Sequence, residues 1–286
     1  MNNMIKVGVQ MFGTSEAVAK NGVENVLKTI KEIGYTSVEM CTIFGSEFPE
    51  VQEKLDEMAK HFNMPLPASV WDSKETLKYI ELANSIGLEV VSVHAFALGN
   101  VPGFVEKSIP EIIEFAKISK IKNIVVSYMI KDAEGCDKVK DDINILIEAL
   151  SPEGISFCYH NHELEHAKVD GEKNVLDYLI EICDPRLKLQ LDVGWAKYGG
   201  DDVKETILKY NKRVISLHLK DLDENYKTID RNDAFTAVGD GLVEIKEAIS
   251  MSEHMDLFEN GIIIDQDNSK TDIMEDLRKG YEFIVK

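Results

Sequence analysis

The sequence predicts an α/β fold, the (β/α)8 TIM barrel, in which parallel strands are each followed by a helix. Short apolar strands alternate with helical stretches along the chain. An ionisable residue stands where most of these strands should end, as His94, Asp192 and Asp265 do. Because the active sites of TIM barrels lie at the carboxyl ends of the strands, this placement predicts an enzyme.

Length and composition favour a single domain over residues 1–286. The chain has 286 residues, and a TIM barrel needs about 250. The formal charge of -19 argues against nucleic acid as a partner, because phosphate recognition needs clustered Lys and Arg. No apolar run approaches the roughly 18 residues of a membrane span, and the first residues do not resemble a secretory signal. We therefore expect a cytoplasmic protein that acts on a small molecule and binds no membrane.

The first two strands and the helix between them follow from hydrophobic periodicity. The strands are predicted over residues 5–11 and 35–40. Apolar residues recur at helical spacing over residues 22–33, and Gly34 ends that helix. Nearly every predicted strand is a continuous run of Ile, Val and Leu, which is typical of parallel strands buried on both faces.

An insertion interrupts this rhythm after the second strand. Residues 64–71 could form a strand, but Pro65 and Pro67 argue against a central position in a sheet. A helical stretch follows them. We interpret residues 64–86 as a helical insertion within the second βα unit, so that residues 88–95 form the third strand.

The remaining elements alternate regularly up to a closing helix over residues 272–284. The later strands, each preceded by a helix, are predicted over residues 123–129, 155–162, 187–193, 214–219 and 261–265. The longest irregular segment, residues 221–240, follows the seventh strand. It lies on the face of the barrel where a substrate-covering loop belongs.

Four ionisable residues at the ends of the last four strands form the predicted metal site. They are His160, Asp192, His218 and Asp265. Strands five to eight are neighbours in a barrel, so their ends converge on one side of its mouth. Two imidazoles and two carboxylates suit a divalent ion of intermediate hardness. We expect Mn²⁺, with Co²⁺, Zn²⁺ or Mg²⁺ as alternatives.

Residues around this cluster are candidates for proton transfer. A metal ion that polarises the carbonyl of a ketose or keto acid stabilises the enediolate formed when a neighbouring C–H proton leaves, and a base must take that proton. The candidate bases are His160, His162, Glu163 and Glu165 on one side, with Asp265 or Glu39 on the other. Lys220 can supply positive charge to a developing oxyanion. Alternatively, Lys220 forms a structural salt bridge to Asp221 or Glu39.

Three further residues, His94, Trp195 and Asp267, are predicted to contact the substrate. Trp195 could stack on a sugar face, although an aromatic residue at a barrel rim is more often simple packing. His94 could equally be a hydrogen-bonded structural residue. No Gly-rich phosphate cradle follows the last strands, so we do not expect a phosphate on the substrate.

In chain order, six short segments resemble the sugar phosphate isomerase/epimerase superfamily with the xylose-isomerase-like TIM barrel, in particular its Tyr-His-Asn-His subgroup. The segments are Gly34-Tyr35-Thr36-Ser37-Val38-Glu39, Tyr159-His160-Asn161-His162 with Glu165, Leu191-Asp192-Val193-Gly194-Trp195, His218-Leu219-Lys220-Asp221, Val238-Gly239-Asp240-Gly241 and Ile264-Asp265-Gln266-Asp267. The resemblance covers essentially the whole chain. It implies a divalent metal held by acidic residues that end strands five, six and eight and by a His that ends strand seven.

The chain departs from the family pattern at two of these positions. Asp192 and His218 match directly, but Asp265 stands where the family usually has Glu. His160 stands where epimerases of the group have a second Glu, although the Tyr-His-Asn-His subgroup commonly carries His there. Those two Glu are the paired acid/base residues of the epimerases, so their absence argues against a symmetric two-carboxylate epimerisation. An imidazole base facing a carboxylate fits a one-sided proton transfer, such as β-elimination, equally well.

The resemblance implies a divalent-metal-dependent isomerase or epimerase of a small ketose or keto-polyol. The first alternative is a lyase, either a dehydratase or a β-eliminase, acting on a keto sugar, inosose or 3-keto-glycoside. The second is a catalytically weak sugar-binding or partner subunit, which the shortened Asp265 and the substituted His160 would suit. Barrels of this type often dimerise, so a homo-oligomer is a further expectation.

Overall fold

The protein folds into a barrel of parallel strands surrounded by helices. The computed structural model describes residues 7–61, 66–96, 98, 104–253, 255 and 261–286. Its strands are β1 (Val7–Gln10), β2 (Ser37–Ile43), β3 (Val70–Asp72), β4 (Glu89–Ala95), β5 (Asn123–Val126), β6 (Ser156–His160), β7 (Lys168–Asp170), β8 (Lys173–Asn174), β9 (Lys188–Asp192), β10 (Val214–Leu219), β11 (Asp221–Leu222), β12 (Phe235–Thr236) and β13 (Ile262–Ile264).

Amphipathic helices cover the outside of the barrel. They are α1 (Ser15–Asn21), α2 (Val23–Ile33), α3 (Pro49–His61), α4 (Ser73–Ile86), α5 (Val105–Ser119), α6 (Ala133–Leu150), α7 (Val175–Ile182), α8 (Val193–Tyr198), α9 (Val203–Tyr210), α10 (Ile245–Ser252) and α11 (Ile273–Val285). In α2, for example, Val26, Leu27 and Ile30 are buried, as their spacing predicts. In the part of the chain that the structure describes, no helix has the length and apolarity that crossing a bilayer requires.

The barrel strands follow one another in the order β1-β2-β4-β5-β6-β9-β10-β13, and every pairing is parallel. The cylinder closes because β1 pairs with both β2 and β13. The residues of these strands are almost all buried, as Ile262–Ile264 in β13 are. This is the predicted (β/α)8 TIM barrel, and the prediction is confirmed.

The predicted insertion in the second βα unit is also present, with a short strand added to its helix. The strand β3 pairs with the carboxyl-terminal half of β2, beyond the residues of β2 that pair with β1. Asp72 then caps α4, which ends at Gly87 in the left-handed conformation (φ 82°). Residues 62–65, and with them Pro65, lie outside the described ranges.

One strand end differs from the prediction in a way that matters for the site. Glu39 was expected at the end of the second strand but is the third residue of β2. The strand continues to Ile43 because β3 and β4 both pair with its last residues. The side chain of Glu39 is therefore fully buried and meets histidines from two other strands.

Candidate active site

The four predicted metal ligands converge inside the carboxyl end of the barrel. His160, Asp192, His218 and Asp265 each offer one ligand atom, and these atoms lie within 4.8 Å of one another. All four residues are buried. Strand register brings them together, since His218 on β10 is paired directly with Asp192 on β9.

The donor set fits a divalent metal ion. Three buried polar atoms here have no hydrogen-bond partner within the described ranges, namely Asp192 Oδ2, His94 Nδ1 and His162 Nδ1, whereas His218 Nε2 and Glu39 Oε1 lie 3.3 Å apart as an ion pair. Buried polar atoms are normally hydrogen-bonded, so several unpartnered ones at one place fit a site that binds an ion or a ligand. Two carboxylates and two imidazoles are donors that divalent transition metals accept.

Asp192 is fixed on one side while its second oxygen stays free. It caps α8, and its Oδ1 accepts a hydrogen bond from the backbone N–H of Trp195 at 2.7 Å. Its Oδ2 has no partner in the described chain. Burial raises the pKa of Asp192 to about 7, although the nearby Lys220 ammonium opposes this. A cation at the site would stabilise the charged carboxylate that burial disfavours.

A buried glutamine determines the tautomer of His160. Gln190 Nε2 donates to Glu39 Oε2 at 2.6 Å, so the remaining amide atom, Oε1, accepts from His160 Nδ1 at 3.0 Å. The proton is therefore on Nδ1, and Nε2 carries the lone pair that a metal ion requires. Burial lowers the pKa of His160 well below its usual value, which keeps the imidazole neutral.

His218 lies between two carboxylates. Its Nδ1 is 3.2 Å from Asp265 Oδ2, and its Nε2 is 3.3 Å from Glu39 Oε1. Burial alone would lower the pKa of His218, but Glu39 and Asp265 outweigh burial and raise it to about 10. Metal binding through His218 would therefore release a proton at neutral pH.

Lys220 is a buried cation beside this cluster, with 1% of its side chain exposed. Its Nζ lies 3.1 Å from Asp265 Oδ2 and 2.7 Å from Asp267 Oδ2. Burial lowers its pKa, but the carboxylates outweigh burial and raise the pKa above its usual value, so Lys220 stays an ammonium. Asp265 responds in the opposite sense: burial raises its pKa, yet Lys220 and His218 bring the pKa well below its usual value.

His94 and His162 extend the row of imidazoles that begins at His160. Their ring centroids lie 5.4 Å and 5.0 Å from that of His160. Burial lowers the pKa of both, so both rings are neutral near pH 7. His94 Nε2 contacts Ser127 Oγ at 3.2 Å, while its Nδ1 is free of hydrogen bonds in the described chain.

Glu165, a predicted catalytic residue, has both oxygens occupied by protein donors. Its Oε1 accepts from the Tyr159 hydroxyl at 2.6 Å and from the backbone N–H of Ile130 at 2.7 Å. Its Oε2 accepts from the backbone N–H of His162 at 3.0 Å. Burial raises its pKa. This geometry favours a role in holding the loop that carries His162 over direct contact with substrate.

Trp195, a candidate either to stack on a sugar or to pack at the rim, is buried, with only 1% of it exposed. The helix α8 begins directly after Asp192 and carries the indole inward. Its ring packs edge-on against Phe235, with centroids 4.5 Å apart, and Lys220 and Arg231 lie over it at 5.0 Å and 4.1 Å. No face of Trp195 is open to a sugar in this conformation.

Asp221, one of the two alternative salt-bridge partners of Lys220 that the sequence offers, has a different role in the structure. Its buried carboxylate accepts hydrogen bonds from the backbone N–H groups of Leu222, Gly239, Gly241 and Val243. A Cβ at Gly241 would collide with this carboxylate. The Val238-Gly239-Asp240-Gly241 segment is therefore a loop wrapped around Asp221, and Lys220 pairs instead with Asp265 and Asp267.

Sequence reasoning missed two residues that build the site. Gln190 lies two positions before Asp192 on β9, so its side chain is on the same face of the strand, and this alternation could have identified it. Arg231 comes from the irregular segment after β11 and forms two hydrogen bonds to Glu163, at 2.6 Å and 2.8 Å. No sequence pattern places a residue of such a loop.

With a closed parallel barrel and a buried His/Asp cluster at its carboxyl end, this protein is a TIM-barrel protein with a candidate metal site. The chain belongs to the xylose isomerase-like TIM barrel family, whose model matches residues 27–286. It is 25% identical over 261 residues to an inosose dehydratase of Geobacillus kaustophilus (strain HTA426), covering 84% of this chain and 78% of that one.

Two solved structures share the fold. A sugar phosphate isomerase/epimerase from Parabacteroides distasonis ATCC 8503 superposes with a TM-score of 0.71 at 18% identity, covering 100% of this chain and 96% of that one. The IolI protein with a bound zinc atom superposes with a TM-score of 0.66 at 12% identity, covering 98% of both chains. At these identities the likeness shows the fold alone.

Proposed function

We propose that this protein is a divalent-metal-dependent isomerase or epimerase of a small ketose or keto-polyol. The observation that carries the proposal is the position of a neutral, unpartnered imidazole, His162, beside four buried residues suited to a metal ion. Those four residues would hold the ion, and the imidazole would transfer a proton of the substrate.

The metal would be bound by His160, Asp192, His218 and Asp265. When bound, a divalent ion polarises the substrate carbonyl and makes the neighbouring C–H proton more acidic. We propose Mn²⁺ because mixed carboxylate and imidazole donors suit it. Zn²⁺ is the alternative, since the structural neighbour IolI contains zinc.

His162 is the proposed base that takes the proton from carbon and returns it. Its pKa is lowered, first by burial and then by the charge of Lys220, so the ring is neutral and can accept a proton. Its Nδ1 has no partner in the described chain. Glu165 holds the backbone of His162, which orients the base without taking part in the transfer.

Lys220 is the proposed electrostatic partner of the substrate oxygen. Two carboxylates, Asp265 and Asp267, each lie within 3.1 Å of its Nζ. An ammonium has three N–H groups, so one remains for an oxygen that gains negative charge during proton transfer. Asp267 is 32% exposed on its side chain and could also contact a substrate hydroxyl.

The charges around the site favour an uncharged substrate. The buried cation Lys220 is neutralised by Asp265 and Asp267, and the half-buried Arg231 by Glu163. A phosphate group would need a cation that is not already paired. We therefore propose a ketose or keto-polyol without phosphate.

A dehydratase acting on the same kind of substrate is the second candidate. The observation that favours it is the similarity to an inosose dehydratase over 84% of this chain. In that reaction His162 would take the same proton and pass it to the hydroxyl on the next carbon. The electrons of the broken C–H bond would form a C=C bond between the two carbons, the C–O bond would break, and water would leave. An isomerase would instead return the proton to carbon.

Incubating the Mn²⁺-loaded protein with ketoses, keto-polyols and inososes in D₂O tests both candidates. Deuterium at carbon in a product of unchanged composition supports the isomerase, and a product lighter by one water supports the dehydratase. Binding without exchange or product would support the alternative of a binding subunit. If metal-loaded protein neither exchanges nor converts any of these compounds, the proposal is wrong.

A further inference from the structure

A line of buried hydrogen bonds connects the proposed metal ligand Asp192 to the protein surface. It runs from the backbone of Asp192 to the side chain of Asn161, then to His166, and ends at Asp201. Asn161 and His166 are each 2% exposed, whereas the side chain of Asp201 is 19% exposed. Neither His166 nor Asp201 belongs to the proposed metal site.

The Asn161 amide pairs with the backbone of Asp192 as a neighbouring strand would. Its Oδ1 accepts from Asp192 N–H at 2.9 Å, and its Nδ2 donates to the Asp192 carbonyl at 3.2 Å. β6 ends at His160 and β9 ends at Asp192, so this amide continues their pairing beyond the last strand residues. The backbone of Asp192 is therefore held by a side chain where main-chain pairing stops.

His166 and Asp201 determine which way this amide faces. Asn161 Nδ2 lies 3.0 Å from His166 Nε2, and an amide nitrogen can only donate, so Nε2 is an acceptor. The imidazole proton is then on Nδ1, which donates to Asp201 Oδ2 at 2.8 Å. With the other tautomer, His166 would favour a flipped amide, and both contacts of that amide with Asp192 would become repulsive.

We propose that Asp201 and His166 are positioning residues that aim the Asp192 carboxylate at the metal site by fixing the Asn161 amide. The inference rests on the proposed function only in requiring that this site bind a divalent ion. Trp195 already fixes Asp192 Oδ1, so the backbone of Asp192 is what the line of hydrogen bonds controls. The site of His166 is tight, since a Cβ at Gly199 would lie 2.6 Å from the Cβ of His166.

A pair of substitutions at Asp201 tests the proposal, with Mn²⁺ affinity measured by titration calorimetry in the absence of substrate. Asp201→Ala removes the acceptor of His166 Nδ1–H and should weaken Mn²⁺ binding about 10- to 100-fold, as the loss of an outer-shell partner does. Asp201→Asn removes the same charge but keeps a carbonyl oxygen for that N–H, so it should bind Mn²⁺ with wild-type affinity.

Two controls separate positioning from a general structural effect. Tyr210→Phe removes a buried hydroxyl that contacts Asn174, a neighbour of Asp201, without touching Asn161, and should leave Mn²⁺ affinity unchanged. His166→Phe keeps the ring shape, removes both hydrogen bonds, and should repeat the loss seen in Asp201→Ala. If His166→Phe does not fold, the partly exposed Asp201 pair still decides the question.

Wild-type Mn²⁺ affinity in Asp201→Ala would overturn the inference. Equal losses in Asp201→Ala and Asp201→Asn would also overturn it, because charge alone would then explain the effect. A wild-type protein that binds neither Mn²⁺ nor Zn²⁺ would refute the proposed function and this inference together. Failure of this inference alone is distinguishable, because the wild type would then still bind the metal ion.

Discussion

The barrel mouth has two halves that keep their ionisable groups in opposite states. The imidazole half, at the ends of β4 and β6, holds His94, His160 and His162, whose pKa values burial lowers. The charged half, at the ends of β9, β10 and β13, holds Asp192, His218, Lys220, Asp265 and Asp267. Neutral imidazoles suit proton transfer and, at His160, metal ligation, whereas carboxylates and an ammonium suit an ion and a developing negative charge.

Two histidines show what produces this difference. His160 and His218 are almost equally buried, with 2% and 0% exposed. The pKa of His160 is well below its usual value because its burial is reinforced by other imidazoles, whereas that of His218 is raised to about 10 by Glu39 and Asp265. Partners, and not burial, therefore decide which histidines in this mouth are charged.

Removing a ligand from the charged half should have the largest effect. We expect Asp192→Asn to weaken Mn²⁺ binding more than about 100-fold, beyond the loss caused by an outer-shell change. Metal-free Asp192→Asn should be at least as stable as wild type, because a buried carboxylate with an unpartnered oxygen is removed. Calorimetry and urea unfolding measure the two quantities. Retained Mn²⁺ affinity would exclude Asp192 as a ligand.

Removing the base from the imidazole half should lower the rate and leave the metal in place. We expect His162→Gln to reduce deuterium exchange into the substrate about 10²- to 10⁴-fold, the usual contribution of a general base. Mn²⁺ affinity should stay at the wild-type level. His94→Gln is the matched control for loss of a neighbouring imidazole. If His162→Gln exchanges as fast as wild type, the base is another residue.

Removing the Glu39 carboxylate should lower the pKa of His218 towards those of the neutral histidines in the imidazole half. In the metal-free protein the pKa of His218 is raised to about 10, so its contribution to stability is complete below its unfolded-state pKa and is lost as pH rises through about 10. Glu39→Gln should lower that pKa and move the loss of stability to lower pH. NMR titration of the His218 ring measures the shift. An unchanged pKa would mean that Asp265 alone sustains the charge.

We expect the smallest effect from removing the Arg231–Glu163 ion pair, which links the loop after β11 to the loop after β6. Arg231 pairs with Glu163, and 35% of its side chain is exposed. Partly exposed ion pairs contribute at most about 1 kcal/mol, so Arg231→Gln should change KM by no more than about fivefold and leave Mn²⁺ affinity unaltered. A loss of Mn²⁺ binding in this variant would show that the loop after β11 helps to build the metal site.

The fold and the convergence of the four proposed ligands could be predicted because both follow from local patterns. Runs of Ile, Val and Leu ending in an ionisable residue indicate parallel strands and their carboxyl ends. The carboxyl ends of barrel strands meet at one mouth, so His160, Asp192, His218 and Asp265 were expected close together. The structure brings them together, within 4.8 Å.

The partners of these residues could not be predicted because they depend on contacts between distant segments. Lys220 is followed directly by Asp221, yet it pairs with Asp267 because backbone N–H groups already occupy the Asp221 carboxylate. Trp195 is buried because α8 begins directly after Asp192 and turns the indole inward, and no pattern in the sequence predicts a helix there. The sequence predicts that the second strand ends near Glu39, but β2 continues to Ile43 because β3 pairs with its last residues, and the sequence does not reveal that pairing.

Anomalous diffraction from a crystal grown with Mn²⁺ would show whether these four residues bind the metal ion. We expect one strong anomalous peak inside the barrel mouth, in contact with His160, Asp192, His218 and Asp265, and with Lys220 and His162 outside the coordination sphere. Its absence in Asp192→Asn crystals would confirm the assignment. No peak in the wild type, or a peak bound by other residues, would contradict the assignment of these four residues as the metal ligands.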